Sequence, residues 1–354
     1  MTDLAELTTL RVGGPARRLV RATTEAELVE AVSAADAAGE PLLLVAGGSN
    51  LLVADEGFDG TVVHVATQGF DVPSEDACGG GIVTVAAGHR FDDFVETAVT
   101  RGWAGVEALS GIPGSVGATP VQNVGAYGQE VAQTVQTVRT WDRVERRQKT
   151  FVAAELRFGY RTSLLKQTRV ALAGGHAESR YVVLDVTFQF PLRQAASEVT
   201  YPELARTLGV ELGTLVPSRD VREAVLALRA GKGMVWDPAD RSDHDTWSAG
   251  SFFTNPVLTP AEADRLPTDA PRFPAADGRV KTSAAWLIDR AGFGKGFGAP
   301  GPAALSTKHT LALTNRGNAR ATDLLALART VADGVEREFG VRLVNEPVIV
   351  GAIL

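Results

Sequence analysis

The chain has 354 residues, of which 45% are hydrophobic and 22% charged, an ordinary composition for a folded protein of two or three domains. Its formal charge of −7 argues against a broad nucleic-acid or anionic-membrane surface, so any anionic ligand must be met by a local constellation. One cysteine, Cys78, excludes an intrachain disulfide and a CxxC pair, and five scattered histidines speak against a metal centre.

The N-terminus shows no basic region followed by an apolar core, and no apolar run approaches the ~18 residues of a membrane span. A reducing cytoplasm is therefore expected. Thr24 with Glu27 forms a capping box ahead of a helical stripe of Leu28, Val29 and Val32. Strands are predicted at Pro41–Ala46, Thr61–Val65 and Gly81–Gly88, and a helix with Phe91, Phe94, Val95 and Ala98 on one face. Beyond a glycine-dense loop, Ser110–Gly128, strands follow at Thr134–Asp142 and Tyr181–Phe190. The texture changes near Pro191–Ser197. Ser218 then caps a helix ending in Gly231, with Val221, Val225 and Leu228 on its apolar face. Asp237–Asp245 and Thr259–Asp277 read as surface loops, and Thr282–Gly292 as a helix with glycine at its end. A long amphipathic helix through Leu324, Leu327, Ala328, Val331 and Val335 precedes a strand around Leu343–Val350.

Two segments place glycine and small polar residues after an apolar run. In AGGSN, Gly47, Gly48, Ser49 and Asn50 follow a strand directly, where successive N–H groups can form an anion nest or simply a tight turn. In LSGIPGSVGATPVQNVGAYG, Gly111, Gly114 and Gly117 recur every third residue, Pro113 and Pro120 prevent a helix, and Tyr127 lies near the end. So long a run of glycine, proline and small polar groups suggests a loop that wraps a ligand. Neither segment has the spacing of GxGxxG or GxxxxGK[ST].

AGGSNLLV, GIPGSVGATPVQNVGAYG, FGYR, GSFFTNP and a C-terminal glutamate segment occur in the order that resembles the UDP-N-acetylenolpyruvoylglucosamine reductase family, from Thr9 to Gly351. AGGSN alone resembles only the wider superfamily of vanillyl-alcohol-oxidase-like FAD domains. The family resemblance implies an α+β protein with a two-lobed FAD-binding part (1–66 and 67–194) and a substrate-binding domain (195–354). It implies non-covalent FAD, NADPH as co-substrate, and reduction of UDP-N-acetylglucosamine enolpyruvate to UDP-N-acetylmuramate in cell-wall precursor synthesis. The glycines of both loops, Ser49, Asn50 and Tyr127 would meet FAD. Ser251 would donate a proton, with Arg161 and Glu346 stabilising the enolate-like intermediate. Tyr201, Lys232, Asn255 and Lys281 match substrate-binding positions, and Tyr201 matches the tyrosine loop of the family's first structural type.

The sequence departs from the family pattern at Thr254, often lysine, and at Pro347 and Val348, commonly Val-Arg. Arg229, three residues before Lys232, is a candidate to restore the charge missing at Thr254. Two other readings stay open: an oxidase of the same superfamily with tethered flavin, and a flavin-free sugar-nucleotide-binding protein. The sequence leaves the oligomeric state open, with a monomer as the default.

Overall fold

A computed structural model describes residues 2–76, 80–171, 177–191, 198–237 and 239–354. Cys78 and the 192–197 stretch, where the texture changes, lie outside the described residues. The chain forms two compact units. The larger comprises Ala16–Gly47 and Asp59–Ala230; the smaller takes the N-terminal stretch up to Pro15, Gly48–Phe58 and Gly231–Leu354.

In the larger unit, Thr24 caps the helix Glu25–Ala38 through a complete capping box with Glu27, and Leu28 and Val32 are fully buried. The strand Leu42–Val45 pairs in parallel with Thr61–His64 in a three-stranded sheet whose other edge is Ala16–Ala22. A five-stranded antiparallel sheet runs Arg147–Val152, Val135–Asp142, Tyr181–Phe190, Gly80–Ala86, Phe70–Asp76. The helix Phe91–Arg101 buries Phe91, Phe94, Val95 and Ala98 completely, and Phe94 packs on Phe188 with centroids 5.0 Å apart. Removing such side chains from water is the main stabilising contribution here, at roughly 1.5–3 kcal/mol each. A satellite cluster of Ala108, Val199, Leu204, Ala205, Val216, Val221 and Val225 packs the helices Pro202–Leu208 and Ser218–Gly231 onto the start of the glycine-dense loop. Ser218 is the first helical residue and not its cap, because Val221 N–H donates to the carbonyl of Pro217.

The smaller unit is built around the helix Ala321–Phe339, whose residues Leu324, Ala328, Val331 and Val335 are fully buried. Its partners include the helix Ala284–Arg290 and the strands Ala303–Leu305 and Leu313–Asn315. Only Val348–Val350 of the expected C-terminal strand is extended in a sheet, in parallel register with Leu51–Val53. Two expected surface loops are more ordered than their composition indicates. Thr259 caps a short helix, Pro260–Ala263, and Ala263, Leu266 and Ala270 beyond it are buried. Asp245 is also buried, since it accepts hydrogen bonds from Thr307 and Arg316.

Candidate active site

The turn Gly47–Asn50 leaves the strand Leu42–Val45, and within the larger unit its first glycine meets the long loop backbone to backbone. A Cβ on Gly47 would lie 2.5 Å from the Cα of Gly114, closer than any real side chain comes. Gly117 is confined in the same way, with a Cβ position 2.5 Å from that of Ala87. Gly111 (φ +73°) and Gly114 (φ +118°) also adopt backbone conformations that disfavour side chains. In the smaller unit Gly48 (φ +57°) lies against Leu7, whose carbonyl oxygen would be 1.7 Å from a Cβ.

Two of these glycines do not offer their amides to a ligand. Gly111 N–H donates to Asp92 Oδ1 at 2.6 Å, and Gly117 N–H to the carbonyl of Ala87 at 2.8 Å. They contribute shape and close approach. A different group in the loop is available: Ser115 is 3% exposed, and its Oγ has no hydrogen-bond partner among the described residues. A buried hydroxyl left in that state costs stability unless something binds to it. A glycine-shaped cradle with a spare hydroxyl fits a dinucleotide such as FAD. Ser115 is absent from the sequence-derived candidates because serine in a turn carries no distinguishing signal.

Tyr127 holds φ +47°, and its ring meets Tyr201 edge-on at 5.5 Å between centroids. Tyr201 is 40% exposed at the start of the helix Pro202–Leu208. Arg161 lies in a tight turn, Gly159–Thr162, closed by two backbone hydrogen bonds of 3.1 and 3.2 Å. Arg161 has φ +54°, and its Nη2 donates to the carbonyl of Gly125 at 2.8 Å. Arg229 is 9% exposed in the helix Ser218–Gly231 and packs behind Gly111. Burial pushes its guanidinium below the ordinary value, with Tyr127 and Asp92 opposing.

In the smaller unit, Ser251 follows Gly250 (φ +71°) and precedes Phe252 and Phe253, each 1% exposed. Those two rings anchor the segment, and Ser251 is half-buried. Glu346 is beside it: Glu346 N–H donates to the carbonyl of Phe252 at 2.8 Å, and Phe253 pairs with Asn345. Asn50 reaches the same place, donating from Nδ2 to the carbonyl of Glu346 at 3.4 Å while its own carbonyl accepts from Val348 N–H at 2.9 Å. Ser251, Glu346 and Asn50 are therefore brought together. Asn255 accepts the N–H of Ala284, the first residue of the helix Ala284–Arg290, at 3.0 Å. Lys281 pairs across a short sheet with Val257 and Phe273, and Lys232 follows the end of the helix at Gly231. Thr254 supplies no charge, and its hydroxyl donates to the carbonyl of Val344 at 3.3 Å. Pro347 is buried, and its carbonyl accepts from Asn345 Nδ2 at 2.8 Å.

Among the described residues no group of three His, Cys, Asp or Glu side chains is placed to hold a metal ion, and no helix is long and apolar enough to cross a membrane. The two main sheets of the larger unit and the glycine cradle with Ser115 fit an FAD-binding domain, and the smaller unit is a second unit of mixed helix and strand. The FAD binding domain family matches residues 16–148, and the family described as UDP-N-acetylenolpyruvoylglucosamine reductase, C-terminal domain, matches 240–350. Proteins named UDP-N-acetylenolpyruvoylglucosamine reductase are 57% identical in Cutibacterium acnes and 54% in Streptomyces coelicolor, each alignment covering 99% of this chain and 90% of the relative. The crystal structure of the Thermus caldophilus reductase superposes with a TM-score of 0.64 at 27% identity, covering 99% of this chain and 97% of that one. The chain belongs to the UDP-N-acetylenolpyruvoylglucosamine reductase family and is an FAD-dependent oxidoreductase.

Proposed function

We propose that this enzyme uses NADPH to reduce the enolpyruvyl group of UDP-N-acetylglucosamine enolpyruvate, giving UDP-N-acetylmuramate for peptidoglycan synthesis in the cytoplasm. The observation that carries the reading is the hydrogen bond from Glu346 N–H to the carbonyl of Phe252, the residue next to Ser251, within a chain whose relatives bear the name of this reaction. FAD, when bound without a covalent tether, supplies the hydride. The segments 1–66 and 67–194 bind it through Gly47, Gly48, Ser49, Asn50, Gly111, Gly114, Gly117 and Tyr127, to which the structure adds Ser115.

Hydride addition at the terminal carbon leaves negative charge delocalised onto the substrate carboxylate. The forked guanidinium of Arg161 meets that charge, and Glu346 acts with it. Ser251, half-buried beside Phe252, gives its proton to the adjacent carbon. In the 195–354 domain, Lys232, Asn255 and Lys281 bind the nucleotide diphosphate, and Tyr201 closes on the substrate.

The test separates the two half-reactions. Ser251→Ala is expected to leave flavin reduction by NADPH at the normal rate and to slow reoxidation by the enolpyruvyl substrate by about 10²–10⁴-fold, the usual contribution of a general acid. Equal loss of both halves in rapid-mixing experiments would refute the role of Ser251.

A further inference from the structure

Arg161 is a turn residue, and turns are mobile unless something holds them. Here the holding segment is Val121–Gly125 of the glycine loop, which meets the arginine turn through every second residue. The carbonyl of Val121 accepts Ser163 Oγ at 2.6 Å, Asn123 Nδ2 donates to the carbonyl of Gly159 at 3.1 Å, and the carbonyl of Gly125 accepts Arg161 Nη2 at 2.8 Å. Asn123 is the side chain at the centre of this row. It is 1% exposed and has φ +49°, a conformation that asparagine tolerates better than most residues. Its carboxamide also donates to Glu130 Oε2 at 2.7 Å and accepts from Ala132 N–H at 3.2 Å. Lys166 Nζ donates to the carbonyl of Arg161 itself at 2.9 Å.

The geometry points to Asn123 and Lys166 as positioning residues for Arg161, an inference that rests on the role proposed above for that arginine. Asn123 fixes the turn's first residue to the flavin loop, and Lys166 fixes the arginine backbone. The guanidinium is then set in place before substrate arrives, so no part of the reaction barrier goes to orienting it. Aspartate could not replace Asn123, because it has no N–H to donate and would face Glu130.

Asn123→Gly removes the side chain while suiting the positive φ, and Lys166→Met removes the second anchor. Rapid-mixing kinetics on the FAD-loaded enzyme should show flavin reduction by NADPH and flavin retention unchanged in both variants. Reoxidation by UDP-N-acetylglucosamine enolpyruvate should fall by about 100-fold in Asn123→Gly, the size expected for a misplacement of ~1 Å, and by less in Lys166→Met. The double variant Asn123→Gly/Arg161→Ala should be no slower than Arg161→Ala alone, because a positioning residue has nothing left to position. Multiplicative losses in that double variant, equal slowing of both half-reactions, or normal reoxidation in both single variants would overturn the inference. If Asn123→Gly does not fold, Lys166→Met and its combination with Arg161→Ala decide by the same criteria. Normal reoxidation in Arg161→Ala would remove the arginine's role and the inference with it, whereas slow Arg161→Ala with normal Asn123→Gly and Lys166→Met would remove the inference alone.

Discussion

Ser115 and the glycines around it divide shape and hydrogen-bonding capacity between them in the glycine-dense loop. The amides of Gly111 and Gly117 are already bonded to Asp92 and Ala87, while the buried Ser115 hydroxyl has no partner among the described residues. Removing that hydroxyl therefore breaks no hydrogen bond to a described residue. Ser115→Ala is expected to keep the melting temperature of the flavin-free protein within about 1–2 °C and to weaken FAD binding by about 10–100-fold, the loss of one bond to a charged group. Titration of the apoprotein with FAD, followed by flavin fluorescence, measures it. Unchanged affinity would show that Ser115 does not meet the cofactor. At this scale the glycine loops were legible from composition, but which glycine amides were spent was not. That depends on Asp92 and Ala87, which meet the loop only in the folded chain. The placement of Ser251 beside Glu346, 95 positions later, was reached through family resemblance; no periodicity links them.

Among the elements, the helix Ser218–Gly231 has a specific tie to the glycine loop. Arg222 forms a two-pronged ion pair with Asp92 at 2.7 and 3.1 Å, and the same carboxylate holds Gly111 N–H. Burial pushes the Asp92 carboxyl up, but the bonds from Arg222 and Gly111 outweigh it and hold the group below its ordinary value. Because the folded-state value is the lower one, the stability that Asp92 contributes is present above the unfolded value of about 4 and lost as pH falls through the folded value. Arg222→Met removes the largest opposing bond, so its Asp92 should protonate at higher pH. In an acid titration monitored by flavin release, the variant is expected to lose its cofactor at a higher pH than the parent; coincident curves would show that the pair does not secure the loop. Most helices and strands were legible because their apolar spacing survives in the fold, as in Phe91, Phe94, Val95 and Ala98. The burial of Asp245, Ala263, Leu266 and Ala270 was not. Their composition is that of exposed loops, and their order comes from tertiary partners such as Thr307, Arg316 and the core that receives Leu266.

For the whole molecule, the smaller unit gathers three separated stretches of chain, and the pairing of Leu51–Val53 with Val348–Val350 ties two of them together. Such interleaving is invisible to composition, which changes gradually along the sequence, and Asn50 shows its consequence. Read as part of a phosphate turn, it also holds the segment that carries Glu346. The turn proposed to meet the flavin therefore also holds the segment of the proposed catalytic glutamate. The proposed reaction requires that the flavin be oxidised by an enolpyruvyl sugar nucleotide and not by a generic acceptor. The most direct measurement is to reduce the FAD-loaded enzyme anaerobically with one equivalent of NADPH and then add UDP-N-acetylglucosamine enolpyruvate. The oxidised flavin absorbance is expected to return, with stoichiometric formation of UDP-N-acetylmuramate. A flavin that stays reduced under those conditions would contradict it.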